Sequence, residues 1–105
     1  MEAGAFFDAV EADERFFGID FERHDDPAKD VVVLGDGVQT GVIVRVPFWQ
    51  VLTNEWHNLR LAMMGEEALE HVTRIVGYFS RVENWNQSKL SELADRHRGN
   101  YGVPG

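Results

Sequence analysis

The sequence predicts an α+β fold, and two patterns support this assignment. Apolar residues recur every three or four positions in three stretches, which is typical of amphipathic helices, and short β-branched runs separated by turn residues occupy much of residues 17–46. With 105 residues the chain can build one hydrophobic core and no second domain. We therefore predict an N-terminal helix, a three-stranded antiparallel meander, a long amphipathic helix, a candidate fourth strand and a C-terminal helix.

The first helix and the first strand follow from two different periodicities. Apolar spacing over residues 3–14 predicts a short amphipathic helix, and Gly18 is expected to end it. Phe17, Ile19 and Phe21 then alternate with acidic residues, which is the pattern of a half-buried strand.

The other two strands of the meander are bounded by turn residues. Residues 24–27 predict a turn, because the proline at its end disfavours helical geometry in the preceding residue. The β-branched runs at 31–34 and 42–46 predict two strands, and the Gly-Asp-Gly sequence at 35–37 predicts the turn between them.

A long helix is predicted over residues 48–64, between Pro47 and Gly65. Its apolar positions follow one another at intervals of three or four residues: Phe48, Leu52, Trp56, Leu59 and Met63. Because Trp56 lies on this stripe, we expect it in the core, where replacement by alanine would be among the costliest substitutions, at about 3–5 kcal/mol if it is fully buried.

Residues 66–82 fit either a helix or a strand. Their apolar spacing suits a helix, but residues 72–79 are rich in β-branched and aromatic side chains, and a glycine at position 77 would cost a helix about 1 kcal/mol. We favour a strand at 71–79. A final helix is predicted over 88–97. We expect residues 1–98 to form one compact domain, with an acidic helix and meander over 1–47 and the remaining elements over 48–98, and residues 99–105 to form a flexible tail.

The charge is unevenly placed along the chain. Residues 1–40 contain eleven acidic and three basic residues, whereas residues 41–105 contain seven of each, so the first 40 residues account for the whole net charge of −8. This distribution predicts no direct binding to nucleic acid or to anionic lipid. Two explanations stay open: the acids keep a small protein in solution, or they bind a basic protein surface.

Composition excludes several other classes. The chain has no cysteine, so it has no disulfide, thiolate metal site or cysteine nucleophile. No apolar run approaches the roughly 20 residues of a membrane span, and the N-terminus does not have the pattern of a signal peptide, so we expect a cytoplasmic protein. The four histidines do not have ligand spacing, and no metal site is predicted. The three tryptophans are expected to pack in the core rather than to stack on bases.

Two short motifs near the C-terminus carry the most specific signal. The first is Arg74-Ile75-Val76-Gly77-Tyr78, and the second is Trp85-Asn86-Gln87-Ser88-Lys89-Leu90-Ser91-Glu92, with basic residues after it. In this order, residues 71–98 resemble the C-terminal segment of anaerobic (class III) ribonucleoside-triphosphate reductases. The resemblance covers about a quarter of the chain.

The resemblance implies a role for Gly77. In that family the glycine of the first motif loses an α-hydrogen to form a stable radical, so Gly77 would be the radical site, while Arg74, Tyr78, Trp85, Asn86 and Lys89 would support and dock the loop. The chemistry suits glycine, because this residue has no side chain that would twist the radical centre or obstruct an activating enzyme. The resemblance implies no bound cofactor; S-adenosylmethionine would enter only through a separate activating enzyme.

The chain departs from the family in its size and in having no cysteine. A reductase carries a large barrel with the cysteine that becomes a thiyl radical, and 105 residues cannot hold it. Two functions with named partners therefore stay open: a stand-alone glycyl-radical-like accessory module for a separate reductase-type catalytic subunit, or a small acidic, non-catalytic regulator or inhibitor that binds a basic protein surface. A third interpretation is that the motif is coincidental, that residues 66–82 form an ordinary packed helix and that the chain has some other function.

Overall fold

The computed structural model describes residues 1–77, 85 and 87–98 (for residues 87–89 and 98, the backbone alone), and it confirms the α+β prediction. The elements, in chain order, are helix α1 (Ala3–Ala12), strand β1 (Phe16–Glu22), a 3₁₀ turn (Pro27–Lys29), strands β2 (Val31–Asp36) and β3 (Val42–Pro47), helices α2 (Phe48–Thr53) and α3 (Trp56–Met63), strand β4 (Thr73–Val76) and helix α4 (Gln87–Arg98). None of the helices in the described part of the chain is long and apolar enough to cross a membrane.

The four strands form one antiparallel sheet in the order β1-β2-β3-β4. The meander is therefore confirmed, and so is the fourth strand, which pairs with β3 at Thr73–Val76. The helices pack on one face of the sheet, here called the inner face. The core between them consists of Phe6, Phe7, Val10, Phe16, Val32, Leu34, Val44, Val46, Phe48, Val51, Leu59, Met63 and Leu93.

The opposite face of the sheet, here called the outer face, carries a second row of mostly apolar residues. Phe17 pairs with Gly35, Gly35 with Ile43, and Ile43 with Ile75, so the row crosses all four strands. Paired residues point to the same face of a sheet. None of these four residues belongs to the helix-covered core. The outer-face row consequently ends at Ile75, on the edge strand.

A β-bulge in β1 changes the alternation that the sequence predicts. The register between β1 and β2 shifts between Gly18 and Asp20, so Ile19 and Phe17 both lie beside Gly35 on the outer face, while Phe21 pairs with Val32 on the inner face. One extra residue in one strand of a pair moves every following side chain to the other face. The prediction that Phe17, Ile19 and Phe21 share one face is wrong for this reason.

The prediction that Gly18 ends the first helix is also wrong. Helix α1 ends at Ala12, where the Asp13 carboxylate accepts hydrogen bonds from the backbone N–H groups of Arg15 (2.9 Å) and Phe16 (2.8 Å) and turns the chain into β1. Gly18 instead lies inside β1, where an added Cβ would collide with the Trp85 ring.

The long helix predicted over 48–64 is two helices. The backbone is extended at Asn54 and Glu55, between α2 and α3. Other groups bind the carbonyls that a continuous helix would use: the side-chain Nδ2 of Asn54 donates to the backbone carbonyl of Gln50 (2.9 Å), and the Met1 ammonium donates to those of Val51 (3.1 Å) and Leu52 (3.2 Å). Because the Met1 ammonium lies 50 and 51 residues away in sequence from two of these carbonyls, the apolar spacing alone did not reveal the break.

Candidate functional site

Gly77 immediately follows β4 and is half-buried. Its backbone N–H donates to the carbonyl of Gly41, 2.9 Å away, which continues the β3–β4 pairing by one residue. A Cβ atom at position 77 would collide with Cδ1 of Ile43 and would lie 3.1 Å from its Cγ1. Glycine is therefore the residue that lets Ile43 pack against this strand end.

Arg74 braces β4 against the rest of the chain. Its side chain lies on the inner face, where the guanidinium donates to the Asp36 carboxylate (Nη2–Oδ2, 3.2 Å), to the Gln39 side-chain oxygen and to the carbonyl of Met63. These bonds connect β4 to the β2–β3 hairpin and to the end of α3. Arg74 thus supports the strand that precedes Gly77, and its charge is satisfied within the chain.

Asp36 is the buried centre to which Arg74 binds. It has no exposed side-chain surface, and it accepts two hydrogen bonds from Arg15 (3.0 and 2.9 Å) as well as the N–H groups of Val38 (2.8 Å) and Gln39 (3.0 Å). Burial alone would raise the pKa of Asp36, but the hydrogen bonds from Arg15, the two backbone N–H groups and Arg74 outweigh it and hold the pKa well below its usual range. The carboxylate is therefore ionised and fixes the hairpin beside Gly77.

This role of Asp36 was not predicted. The prediction of a turn at residues 35–37 is wrong at its start, because Gly35 and Asp36 complete β2 and the turn begins at Gly37. A usable signal was present: Asp36 continues the period-two series of Val32 and Leu34, so it falls on the inner face of the strand. A carboxylate placed on an inner face requires charged partners.

Exposed apolar side chains surround the Gly77 strand end. In the described part of the chain, the large hydrophobic residues with high exposure are Val38 (67%), Ile75 (45%) and Val76 (90%). Ile75 and Val76 directly precede Gly77, and Val38 lies in the hairpin turn whose Gly41 binds the Gly77 amide. Burial of such side chains by a partner is favourable, so this strand end has the character of a contact surface.

Trp85 lies at the other edge of the sheet. Its backbone N–H donates to the Gly18 carbonyl (3.3 Å), its indole N–H donates to the Asp20 carbonyl (3.1 Å), and its ring packs edge-to-face on Phe7, with centroids 5.6 Å apart. Gly77 borders β3, whereas Trp85 borders β1, so the two motifs do not converge on one site. Trp85 anchors the C-terminal segment to the helical layer.

Three further motif residues, Tyr78, Asn86 and Lys89, are not described in full by the structure. Tyr78 and Asn86 lie outside the described residues. Lys89 lies in the backbone of α4, and its side chain is likewise outside the description.

A second buried carboxylate holds α4 in place. Asp30 accepts two hydrogen bonds from Arg96 (2.8 and 2.9 Å) and lies 3.2 Å from Nε2 of His97, whose ring stacks on Phe48 at 3.7 Å. Burial alone would raise the pKa of Asp30, but Arg96 and the His24 N–H outweigh it and lower the pKa. Burial also lowers the pKa of His97, against the opposing effect of Asp30.

Ion pairs within the fold account for part of the uneven charge distribution along the chain. Acids from the first 40 residues pair with bases from the remainder of the chain, in the pairs Asp13–Arg60, Glu22–Arg45, Asp30–Arg96 and Asp36–Arg74. Part of the acidic excess at the N-terminal end is thus matched inside the fold. Among the described residues, no group of three or more His, Asp or Glu side chains is placed to hold a metal ion.

Comparisons with known proteins add no assignment. No protein-family model matches the chain, and neither the curated proteins nor the solved structures include a match.

Proposed function

We propose that this chain is a stand-alone glycyl-radical-like accessory module that acts with a separate reductase-type catalytic subunit. The observation that carries the proposal is the placement of Gly77 at the end of an edge strand, beside the three large apolar side chains that are most exposed in the described residues. A radical module must present its glycine to other proteins, and this strand end offers both the glycine and an apolar contact surface. The resemblance of residues 71–98 to the reductase segment supplies the chemistry.

The radical would be made by a separate activating enzyme. That enzyme reduces S-adenosylmethionine by one electron and releases methionine and a 5′-deoxyadenosyl radical. This radical takes one hydrogen atom from the Cα atom of Gly77, which yields 5′-deoxyadenosine and leaves the unpaired electron on Cα. The catalytic subunit must then supply the reacting thiol, because this chain has no cysteine.

The contacts around Gly77 suit this role in two ways. Ile43 covers one side of the Cα atom with an apolar side chain and so excludes water from that side. Arg74, held by Asp36 and Gln39, fixes the strand that leads to the glycine. The scaffold would therefore keep the radical carbon in a defined position at the surface.

The direct test is electron paramagnetic resonance after anaerobic incubation with S-adenosylmethionine, a reductant and the activating enzyme of a class III reductase. We expect a doublet from the remaining α-hydrogen, and backbone cleavage near residue 77 on exposure to oxygen. A silent spectrum, with an activating enzyme that does activate its own reductase, would contradict the radical function.

Matched variants separate the chemistry from the packing. Gly77→Ala must abolish the doublet, but its Cβ also collides with Ile43. Ile43→Val deletes the colliding Cδ1 atom, so the Gly77→Ala/Ile43→Val double variant should keep the fold and still give no radical, while Ile43→Val alone keeps the doublet. Gly4→Ala, at a position with open space around it, is the control that retains both properties.

The second candidate is a small acidic regulator or inhibitor that binds a basic protein surface. It is favoured by the acids on and beside α1 that are exposed and have no ion-pair partner among the described residues: Glu2, Asp8, Glu11 and Glu14. This function predicts no radical, and it predicts an affinity for the basic partner protein that falls steeply with salt and is lost when these four residues are changed to their amides. Salt-insensitive binding would contradict it.

A further inference from the structure

We infer that β4 is a docking edge, to which an extended, apolar and basic segment of the protein partner adds as a fifth strand. The inference deepens the accessory-module function, on which it depends for the identity of the partner. Strand addition would place the partner's backbone directly beside Gly77.

The first observation is the unpaired backbone of β4. Gly77 donates to Gly41, and residues opposite each other in an antiparallel pair alternate between bonded and non-bonded positions. The N–H and C=O groups of Arg74 and Val76 therefore point away from β3. Within the part of the chain that the structure describes, these four groups have no hydrogen-bond partner. Such a row is the template on which another strand pairs.

The second observation is the position of the exposed apolar side chains. Ile75 ends the outer-face row that begins at Phe17, so a residue opposite Ile75 on an added strand would extend this row. Val76 projects on the inner side of the same strand and is almost fully exposed. An added strand with two consecutive apolar residues opposite Ile75 and Val76 would cover Ile75 on the outer face and Val76 on the inner face.

The third observation is the charge beside β4. The connection from α3 to β4 carries three exposed acids, Glu66, Glu67 and Glu70, and within the described ranges none of their side-chain carboxylates has a hydrogen bond or a salt bridge. The nearby Arg74 cannot neutralise them, because it is bound to Asp36 and Gln39. A partner strand with basic residues at this end is therefore favoured. A second copy of the chain, with a net charge of −8 of its own, is disfavoured.

The test uses a blocked synthetic peptide, Thr-Val-Ile-Thr-Val-Lys-Lys, with the isotope-labelled full chain in a nuclear magnetic resonance titration. Antiparallel addition places the lysines at the acidic end and the apolar residues beside Ile75 and Val76. We expect amide shifts centred on residues 73–77 and slower hydrogen exchange at Arg74 and Val76. The same peptide with glutamate in place of lysine should bind several-fold more weakly, and this difference should narrow as salt increases.

Two variants at one position separate backbone pairing from side-chain contact. Val76→Pro removes an N–H that points away from β3, so no hydrogen bond to β3 is lost, and proline is tolerated on edge strands. The variant should bind the peptide about fivefold more weakly or worse, because one net hydrogen bond contributes a change of this size. Val76→Ala keeps the N–H and should weaken binding less. If Val76→Pro does not fold, the peptide methylated on alternate backbone nitrogens tests the same bonds from the other side.

Each result decides the inference. Unchanged β4 amides, shifts confined to the helices, equal binding by the two peptides, or equal binding by Val76→Pro would overturn it. Protected Arg74 and Val76 amides in the free protein, together with a dimer in sedimentation, would assign the edge to a second copy and overturn it as well. A radical doublet without strand addition would refute this docking mode alone, whereas strand addition without a doublet would refute the radical function alone.

Discussion

The buried carboxylate of Asp36 offers the sharpest test of how this fold is held together. Asp36→Asn keeps the shape of the side chain but removes the charge that Arg15 and Arg74 share. The amide also presents an N–H group where two guanidinium groups and two backbone N–H groups all need an acceptor.

The expected cost follows from the burial of the site. Removing one partner of a buried ion pair costs about 3–5 kcal/mol, and we expect about 3 kcal/mol here, because Arg15 and Arg74 keep some contact with solvent. For a domain of this size that corresponds to a fall in melting temperature of about 12 °C or more. It is also a large part of the roughly 5–15 kcal/mol by which such domains are stable.

The measurement is urea unfolding followed by circular dichroism, with Glu22→Gln as the matched control. Glu22 also pairs with an arginine, Arg45, through a 3.0 Å bond, but both side chains are largely exposed (44% and 38%). Exposed pairs contribute about 0–1 kcal/mol, so this isosteric change should have little effect. If Asp36→Asn destabilises the protein no more than Glu22→Gln does, the assignment of Asp36 as a structural centre is refuted.

Three further predictions concern the packing and the pH dependence of the fold. Gly18→Ala should unfold at a lower urea concentration than the unmodified chain, because its Cβ displaces the rigid Trp85 ring. The loss of stability caused by Gly18→Ala should be smaller in a Trp85→Ala background. Equal losses of stability in both backgrounds would contradict the contact between Gly18 and Trp85. Trp56→Ala should cost about 2–3 kcal/mol, below the value for a fully buried tryptophan, because Trp56 is half-buried and packs edge-to-face on Phe6; a loss near zero would show that it faces solvent. Burial lowers the pKa of His97 in the folded state, so neutral His97 favours the folded state fully when the pH is above the unfolded pKa of about 6.5. The free energy of unfolding should therefore fall as the pH drops below about 6.5. His97→Gln should reduce this fall in the free energy of unfolding. Stability that rises on acidification from pH 7 to 5 would contradict the direction of this shift.

The sequence predicted the fold where local pattern and tertiary structure agree. Residues 3–14 and 88–97 have helical apolar spacing, residues 31–34 and 42–46 are β-branched runs, and each stretch corresponds to an element of the predicted type. The ambiguous stretch at 66–82 was decided toward a strand by its β-branched residues, and Thr73–Val76 is a strand. Its position beside β3 also allows Gly77 to end the strand rather than to interrupt a helix.

The misplaced features depend on contacts between residues far apart in the chain. Gly18, beside the bulge, has no Cβ and so accommodates the Trp85 ring, and the break after Thr53 is stabilised by the Met1 ammonium. A local pattern carries no information about such partners, because each is 50 or more residues away. The motifs drew attention to Gly77 and Arg74 but not to Asp36: the period-two series indicates its inner-face position, but its partners Arg15 and Arg74 are 21 and 38 residues away in sequence.

The acidic first 40 residues and residues 71–98 are therefore parts of one structure. The two buried carboxylates of the first 40 residues, Asp30 and Asp36, bind Arg96 and Arg74, which belong to the segment that resembles the reductase. A flexible tail would be enough to present a segment to a partner, but the bonds of Arg74 and Arg96 hold residues near both ends of this segment against the rest of the fold. The support keeps β4 as an edge strand and Gly77 at its end. Loss of either carboxylate should therefore affect partner binding through the position of the segment, even though neither carboxylate is at the surface.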